Sequence, residues 1–379
     1  MKKILGFIVM LGFLAMSSHA SDNRSAPNVF SSGSTISSSQ MNENFNFLAS
    51  EIREKDVYCD NGETIKDAIN KGYNSLTIYG TCDGGVMVYL FDPSPFGVTY
   101  SQMSNKPIKH LIISGGDSNR ASKIINTTGG MSSMVTSKGY LQLYNLTFND
   151  KININDGGMI SATEINYEVT VTGEDSRIGA YGNSELYIEK STINAKVDVS
   201  ESSLGIIKET TITAPANSGG VYVSDSSHLE LEDTSSVICN YEYSCINVDS
   251  SSAHINDTDI NNTLGSGLGI SKNASVDLSN STLSCGTSEN VWSCINTNWN
   301  SHIEISGTTI TNNNSQARGL DVQWNSTAFL INAIIDKVEL NATSSVQIDG
   351  DGNSMNVKCH ANSFLQDHTT SNSPSIDGC

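Results

Sequence analysis

Val221-Tyr222-Val223-Ser224, then Leu229-Glu230-Leu231, then Ser235-Ser236-Val237 is one pass of a pattern that recurs along the chain. Its opening segment returns as Ile178-Gly179-Ala180-Tyr181, Val197-Asp198-Val199-Ser200, Ile246-Asn247-Val248-Asp249, Leu268-Gly269-Ile270-Ser271, Ile295-Asn296-Thr297-Asn298 and Leu320-Asp321-Val322-Gln323. The leading residues fall at 178, 197, 221, 246, 268, 295 and 320, in steps of 19 to 27 residues. An apolar-x-apolar segment follows each: Leu186-Tyr187-Ile188, Leu204-Gly205-Ile206, Leu229-Glu230-Leu231, Ala253-His254-Ile255, Val276-Asp277-Leu278 and Ile303-Glu304-Ile305. A Ser/Thr-rich segment with one central aliphatic closes the unit, as in Ser191-Thr192-Ile193-Asn194, Thr210-Thr211-Ile212-Thr213 and Thr308-Thr309-Ile310-Thr311. Alternation at period two with β-branched residues reads as strand, and a helical reading fails.

Three short strands per unit, joined by Asn, Ser and Gly, are the signature of a solenoid. One unit cannot bury its aliphatics alone; coils stacked at ~4.8 Å set equivalent residues above one another and close a continuous interior. Asn183, Asn273, Asn300 and Asn325 end the apolar-led strand of their units, where Asn tolerates the left-handed backbone of a tight corner. On these residues the chain resembles the right-handed parallel β-helix, or pectin-lyase-like, superfamily. The resemblance implies an all-β fold with three strands per coil over residues 57–358 and disulfide-stapled loops. Gly62-Glu63-Thr64-Ile65-Lys66-Asp67-Ala68-Ile69 is similar to the short amphipathic helix that caps such solenoids, and Leu76 to Cys82 to the first strand. Residues 83–107, with three prolines, read as an inserted loop. Residues 21–56 form a leader in which Ser37-x-x-Gln40 opens a helix bearing Met41, Phe45, Leu48 and Ile52 on one face.

Met1-Lys2-Lys3, an apolar run from Ile4 to Met16 and Ser17-Ser18-His19-Ala20 read as a secretory signal peptide over residues 1–20. The apolar run is too short to span a bilayer, and no later segment is apolar enough. Export to the periplasm, the cell surface or the exterior follows as the expectation. All 8 cysteines lie after this segment, so an oxidised framework is expected. Neighbour pairing is the simplest of the allowed connectivities: Cys59–Cys82, Cys239–Cys245, Cys285–Cys294 and Cys359–Cys379, the last pinning a tail over 359–379. No Cys-x-x-Cys or His-x-x-x-His spacing occurs, and no metal site is assigned.

The 379 residues carry 40 Asp and Glu against 21 Lys and Arg, a net charge of −19 with only 16% charged residues. Such a balance repels phosphates and argues against nucleic acid. Outward positions in stacked coils form columns. The middle strand's column reads Tyr187, Gly205, Glu230, His254, Asp277, Glu304. A His between carboxylates serves as a general acid or base or relieves repulsion in an acidic ladder. Asp198, Glu201, Asp225 and Asp249, with Lys272, form a second group; stacked carboxylates there would raise one another's pKa or take Ca²⁺ through oxygen ligands. Together with His254 these are the catalytic candidates. The resemblance would bring Ca²⁺-binding acids and an arginine base for a pectate lyase, yet Arg120, Arg177 and Arg318 lie outside this group. A polygalacturonase-like hydrolase would bring adjacent aspartates and Gly-His-Gly, and neither occurs. The family's active sites do not carry over.

All 3 tryptophans fall between 292 and 324. Trp299 and Trp324 hold the same position one coil apart, and Trp292 sits in the Cys285–Cys294 loop. Exposed rings on a rigid solenoid suit a sugar face, with Asn and Gln neighbours for hydroxyls; Tyr222, Tyr241 and Tyr243 extend the strip. The expected role is non-catalytic contact with a polysaccharide or cell-surface glycan through Trp299 and Trp324. The alternative is a polysaccharide lyase or glycoside hydrolase. A third reading, ice binding, rests on outward pairs such as Thr192/Asn194, Thr211/Thr213 and Thr309/Thr311, which Asp259 and Ile238 interrupt.

Overall fold

The computed structural model describes residues 52–84, 87–89, 110–125, 133–136, 138–149, 152–168, 177–286, 291–360, 362–369 and 374–378. The signal peptide, the leader helix, most of the inserted loop and Cys379 lie outside the described residues. The chain divides into two units, Met1–Glu54 and Lys55–Cys379, and the architecture below is that of the second.

From Arg177 to Ile331 each coil contributes three parallel strands, and the registers make the unit a parallel β-helix. The seven leading residues form one ladder, Ile178↔Val197↔Val221↔Ile246↔Leu268↔Ile295↔Leu320. All seven are buried. The Ser/Thr-rich strands stack through Ile193, Ile212, Val237, Ile260, Leu283 and Ile310. Near the C-terminal end one strand, Ile334–Leu340, runs through two ladder positions: Ile335 pairs with Ile310 and Val338 with Leu320. Phe364–Asp367 and Ser375–Asp377 carry the ladders past residue 358.

The middle strand corrects one expected register. Leu186 lies opposite Gly205, and Gly205 opposite Leu229. Gly205 and Ile207 therefore point inward, while Leu204 and Ile206 point out. A Cβ on Gly205 would lie 2.9 Å from Val199 Cγ2, so the absent side chain is what lets Val199 and Leu229 fill the interior. The outward column reads Tyr187, Ile206, Glu230, His254, Asp277, Glu304. The run Leu204-Gly205-Ile206-Ile207 offers two apolar frames, and apolar alternation alone does not separate them.

Hydroxyl ladders bind the coils at two corners. After the middle strand a residue with positive φ, such as Lys190, Glu209, Asp257 or Asn280, turns the chain and is followed by a buried Ser or Thr. Ser191 N–H donates to Thr210 Oγ1, Thr210 N–H to Ser235 Oγ, Thr258 N–H to Ser281 Oγ and Ser281 N–H to Thr308 Oγ1. At the other corner Ser184 N–H donates to Ser203 Oγ, Ser203 N–H to Ser227 Oγ, Ser227 N–H to Ser251 Oγ and Ser301 N–H to Ser326 Oγ. These hydroxyls satisfy corner amides that the strand ladders leave unpaired, a requirement for any buried N–H.

Of the two expected N-terminal helices, one lies within the described residues, at Ile65–Asn70, where Thr64 Oγ1 accepts from Asp67 N–H and Ile65, Ala68 and Ile69 are buried. Three expected disulfides are present, Cys59–Cys82, Cys239–Cys245 and Cys285–Cys294, with Cα–Cα distances of 5.0, 5.6 and 5.1 Å. The first joins the helix-bearing segment to the first coil; the others close loops between the Ser/Thr-rich strand of one coil and the apolar-led strand of the next. No helix among the described residues is long and apolar enough to cross a membrane.

Candidate functional site

Each apolar-led strand ends in a tight turn whose first residue has positive φ, and these turns stack into a ridge along the solenoid. Its members are Glu201 (φ 57°), Asp225 (56°), Ser250 (53°), Lys272 (55°), Trp299 (55°), Trp324 (46°) and Ala342 (50°). Backbone bonds join them coil to coil: Ser202 N–H donates to Asp225 C=O, Ser226 N–H to Ser250 C=O, Asn273 N–H to Trp299 C=O, Asn300 N–H to Trp324 C=O and Asn325 N–H to Ala342 C=O. The expected corner asparagines, Asn183, Asn273, Asn300 and Asn325, all have positive φ. The acidic group and the aromatic strip, read separately in the sequence, thus share one ridge, acidic toward the N-terminal coils and aromatic toward the C-terminal ones.

Trp299 and Trp324 stack face to face, with ring centroids 5.3 Å apart and planes inclined by 9°. They remain 46% and 45% exposed. Because they are related by one coil step, the ring faces look along the solenoid axis and the ring edges face solvent. A bulky aromatic in the left-handed region is unusual, since its Cβ crowds the following carbonyl at about 1–2 kcal/mol per residue. Asn298 and Gln323 precede the two rings. Asn298 donates to Asn296 Oδ1 at 2.9 Å, and Gln323 donates to Asp321.

The six catalytic candidates fall in three places. Asp198 lies on the outward face of the apolar-led strand, under Tyr181, whose hydroxyl donates to Oδ2 at 3.3 Å. Arg177 Nη1 and Lys196 Nζ stand 3.8 and 3.9 Å from the same oxygen. Burial first, and then the Asp198 charge, pushes the Tyr181 hydroxyl up to about 12. Glu201, Asp225 and Lys272 belong to the ridge, and Lys272 Nζ reaches back to Asp249 Oδ2 at 2.6 Å. That bond raises the Lys272 pKa. His254 stands on the middle-strand face, 2.9 Å from Asp277 Oδ2 and 3.5 Å from Glu232 Oε1. Lys208 reaches Glu232 Oε2 at 2.7 Å, so a file of contacting polar side chains, Lys208, Glu232, His254 and Asp277, crosses four coils. Among the described residues no three His, Cys, Asp or Glu side chains gather closely enough to hold a metal ion.

The remaining aromatics do not continue the Trp stack. Tyr222 lies three coils toward the N-terminus in the outward column Asp198–Tyr222–Asn247–Gly269–Asn296, and Lys196 Nζ sits 4.8 Å from its ring centroid. Tyr241 and Tyr243 contact each other in the Cys239–Cys245 loop at 5.3 Å. Trp292 is 74% exposed at the opposite end of the Ser293–Thr297 strand from Trp299. Two features were missed in the sequence. One is a charge network beneath the ridge: Arg318 Nη1 lies 2.7 Å from the fully buried Asp321, Arg318 Nε contacts Glu339, and His360 Nε2 lies 2.6 Å from Glu339 Oε1. The other is Ala342, the ridge residue after Trp324. Aligning the chain on its corner asparagines would have put Lys272, Trp299 and Trp324 in one column.

No protein-family model matches the chain, and no curated protein matches it. Among solved structures it is similar to the Dettilon tailspike protein, with 12% identity and a TM-score of 0.46 over 85% of this chain and 68% of that one. It is also similar to the Streptococcus pneumoniae surface protein and adhesin PfbA, with 9% identity and a TM-score of 0.48 over 83% and 95%. The β-helix assignment rests on the strand registers.

Proposed function

We propose that this chain is an exported β-helix that binds glycan through the ridge carrying Trp299 and Trp324, without catalysing a reaction on it. The observation that carries the reading is the stacked, half-exposed indole pair held in a left-handed turn. A corner needs only Asn, Gly or Ser there, so two tryptophans at that backbone cost stability that folding does not demand; strain of this kind marks binding sites. An indole covers the C–H face of a sugar while neighbouring amides meet its hydroxyls, and Asn298, Asn300, Gln323 and Asn325 flank the pair. The acidic charge disfavours nucleic acid as the partner, and the disulfides support an oxidising compartment. A lyase or hydrolase would gather its acid, base and charge stabiliser around one scissile bond, whereas Asp198, the Asp225–Lys272 turns and His254 lie on separate faces.

A glycan array probed with the wild-type protein and with Trp299→Ala/Trp324→Ala tests the reading. Loss of the wild-type signals in the double variant is expected; unchanged signals would overturn it. Release of oligosaccharide from any polymer, abolished by Asp225→Ala or His254→Ala, would replace it with the enzymatic alternative.

A further inference from the structure

The two faces of the Trp pair are not equivalent. One face of Trp324 is covered by Trp299; the opposite face looks toward the next coil, where the ridge position is Ala342, exposed and reduced to a single methyl. Lys272, the ridge residue before Trp299, is drawn away toward Asp249. Successive coils lie ~4.8 Å apart, so the ridge has a place for a third ring directly beyond Trp324, and among the described residues no ridge side chain larger than the Ala342 methyl lies there. The rim of that place is polar. Asn325 and Thr343 hydrogen-bond to each other across the two turns, Gln323 precedes Trp324, and Asn341, which precedes Ala342, donates to Asp321 Oδ1 at 3.0 Å.

We infer that the slot between Trp324 and Ala342 is a subsite for one hexopyranose ring, which enters the stack as its third member instead of lying along the ring edges. This deepens the glycan-binding reading and rests on it. A guest with one apolar C–H face and a rim of hydroxyls matches an indole floor edged by Asn325, Gln323 and Thr343, whose remaining donor and acceptor positions a purely apolar ring would desolvate without compensation. Ring planes that face along the axis give a ligand lying over both edges little aromatic area, whereas a ligand on the outer side of Trp324 meets the ring face to face, beside a ridge residue no larger than alanine.

The backbone supplies a direct test, because this turn already accepts Trp in the two preceding coils. Ala342→Trp extends the stack by one ring and fills the slot; Ala342→Ser leaves it open. Binding of array-positive oligosaccharides is measured for both, and methyl β-D-glucopyranoside, methyl β-D-galactopyranoside and methyl α-D-mannopyranoside are titrated while the indole N–H resonances are followed by NMR. The inference expects one or more of these pyranosides to shift Trp324 further than Trp299. It expects Ala342→Trp to weaken binding by about two- to tenfold, the scale of one lost ring contact, and Ala342→Ser to leave it unchanged. Binding retained or strengthened in Ala342→Trp, but lost in Trp299→Ala/Trp324→Ala, would overturn the slot while glycan binding stands. Binding unchanged in both variants would overturn glycan binding at the ridge as well. Failure of all three pyranosides would overturn the hexopyranose assignment.

Discussion

Gly205 and Asp321 show how much one residue decides. With its Cβ position 2.9 Å from Val199 Cγ2 and 3.3 Å from Leu229 Cδ1, Gly205 has room for hydrogen alone. Gly205→Val is expected to destabilise the chain by about 1–3 kcal/mol through overpacking, measured by urea unfolding; a neutral result would return Leu204 and Ile206 to the interior. Asp321 carries a different signature. Burial raises its carboxyl above the ordinary range, with Arg318, Gln323 and Asn341 pulling the other way. A carboxylate raised in the folded state contributes stability that is complete below its unfolded pKa, near 3.8, and is lost as pH rises through the folded value. Asp321→Asn removes that titration. The stability of the wild-type chain relative to this variant should therefore fall as pH is raised above about 3.8, and a rise over the same window would contradict the assigned burial.

Corners, more than strands, distinguish the elements of this solenoid. Inward aliphatics were legible in the sequence because β-branched residues at period two have one burial solution, and the ladders from Ile178 to Leu320 and from Ile193 to Ile310 keep that pattern. Ser191, Thr210 and Thr308 read as the starts of strands and Ser203 and Ser227 carry no sequence signal at all, because a Ser that accepts from a neighbouring coil looks like any turn Ser until the coils are stacked. Ser227→Ala leaves the buried Ser203 N–H without its acceptor and is expected to cost about 1–3 kcal/mol. The exposed Ser275→Ala should stay within about 0.5 kcal/mol. Equal effects of the two substitutions in denaturant melts would show that the ladder is not a source of stability. The register at Leu204 was not legible, since two apolar frames fit the strand and the observed one depends on the close approach of Val199 and Leu229 to Gly205.

At the scale of the molecule, the stacked coils turn residues some 25 apart in sequence into neighbours ~4.8 Å apart. The Trp299/Trp324 pair was visible from spacing alone. The direction of the ring faces was not, and neither was the continuity with Asp225 and Lys272, because both depend on which turn residue takes the left-handed conformation. The ridge also sets strain against function: each Trp costs about 1–2 kcal/mol in this backbone, and their stacking returns about 0.5–1.5 kcal/mol. Trp299→Asn/Trp324→Asn, measured for unfolding free energy and glycan-array binding on the same preparation, is the most direct test. The account predicts a chain more stable by about 0.5–3.5 kcal/mol that no longer binds the glycans held by the wild type. A variant that binds as before would contradict it.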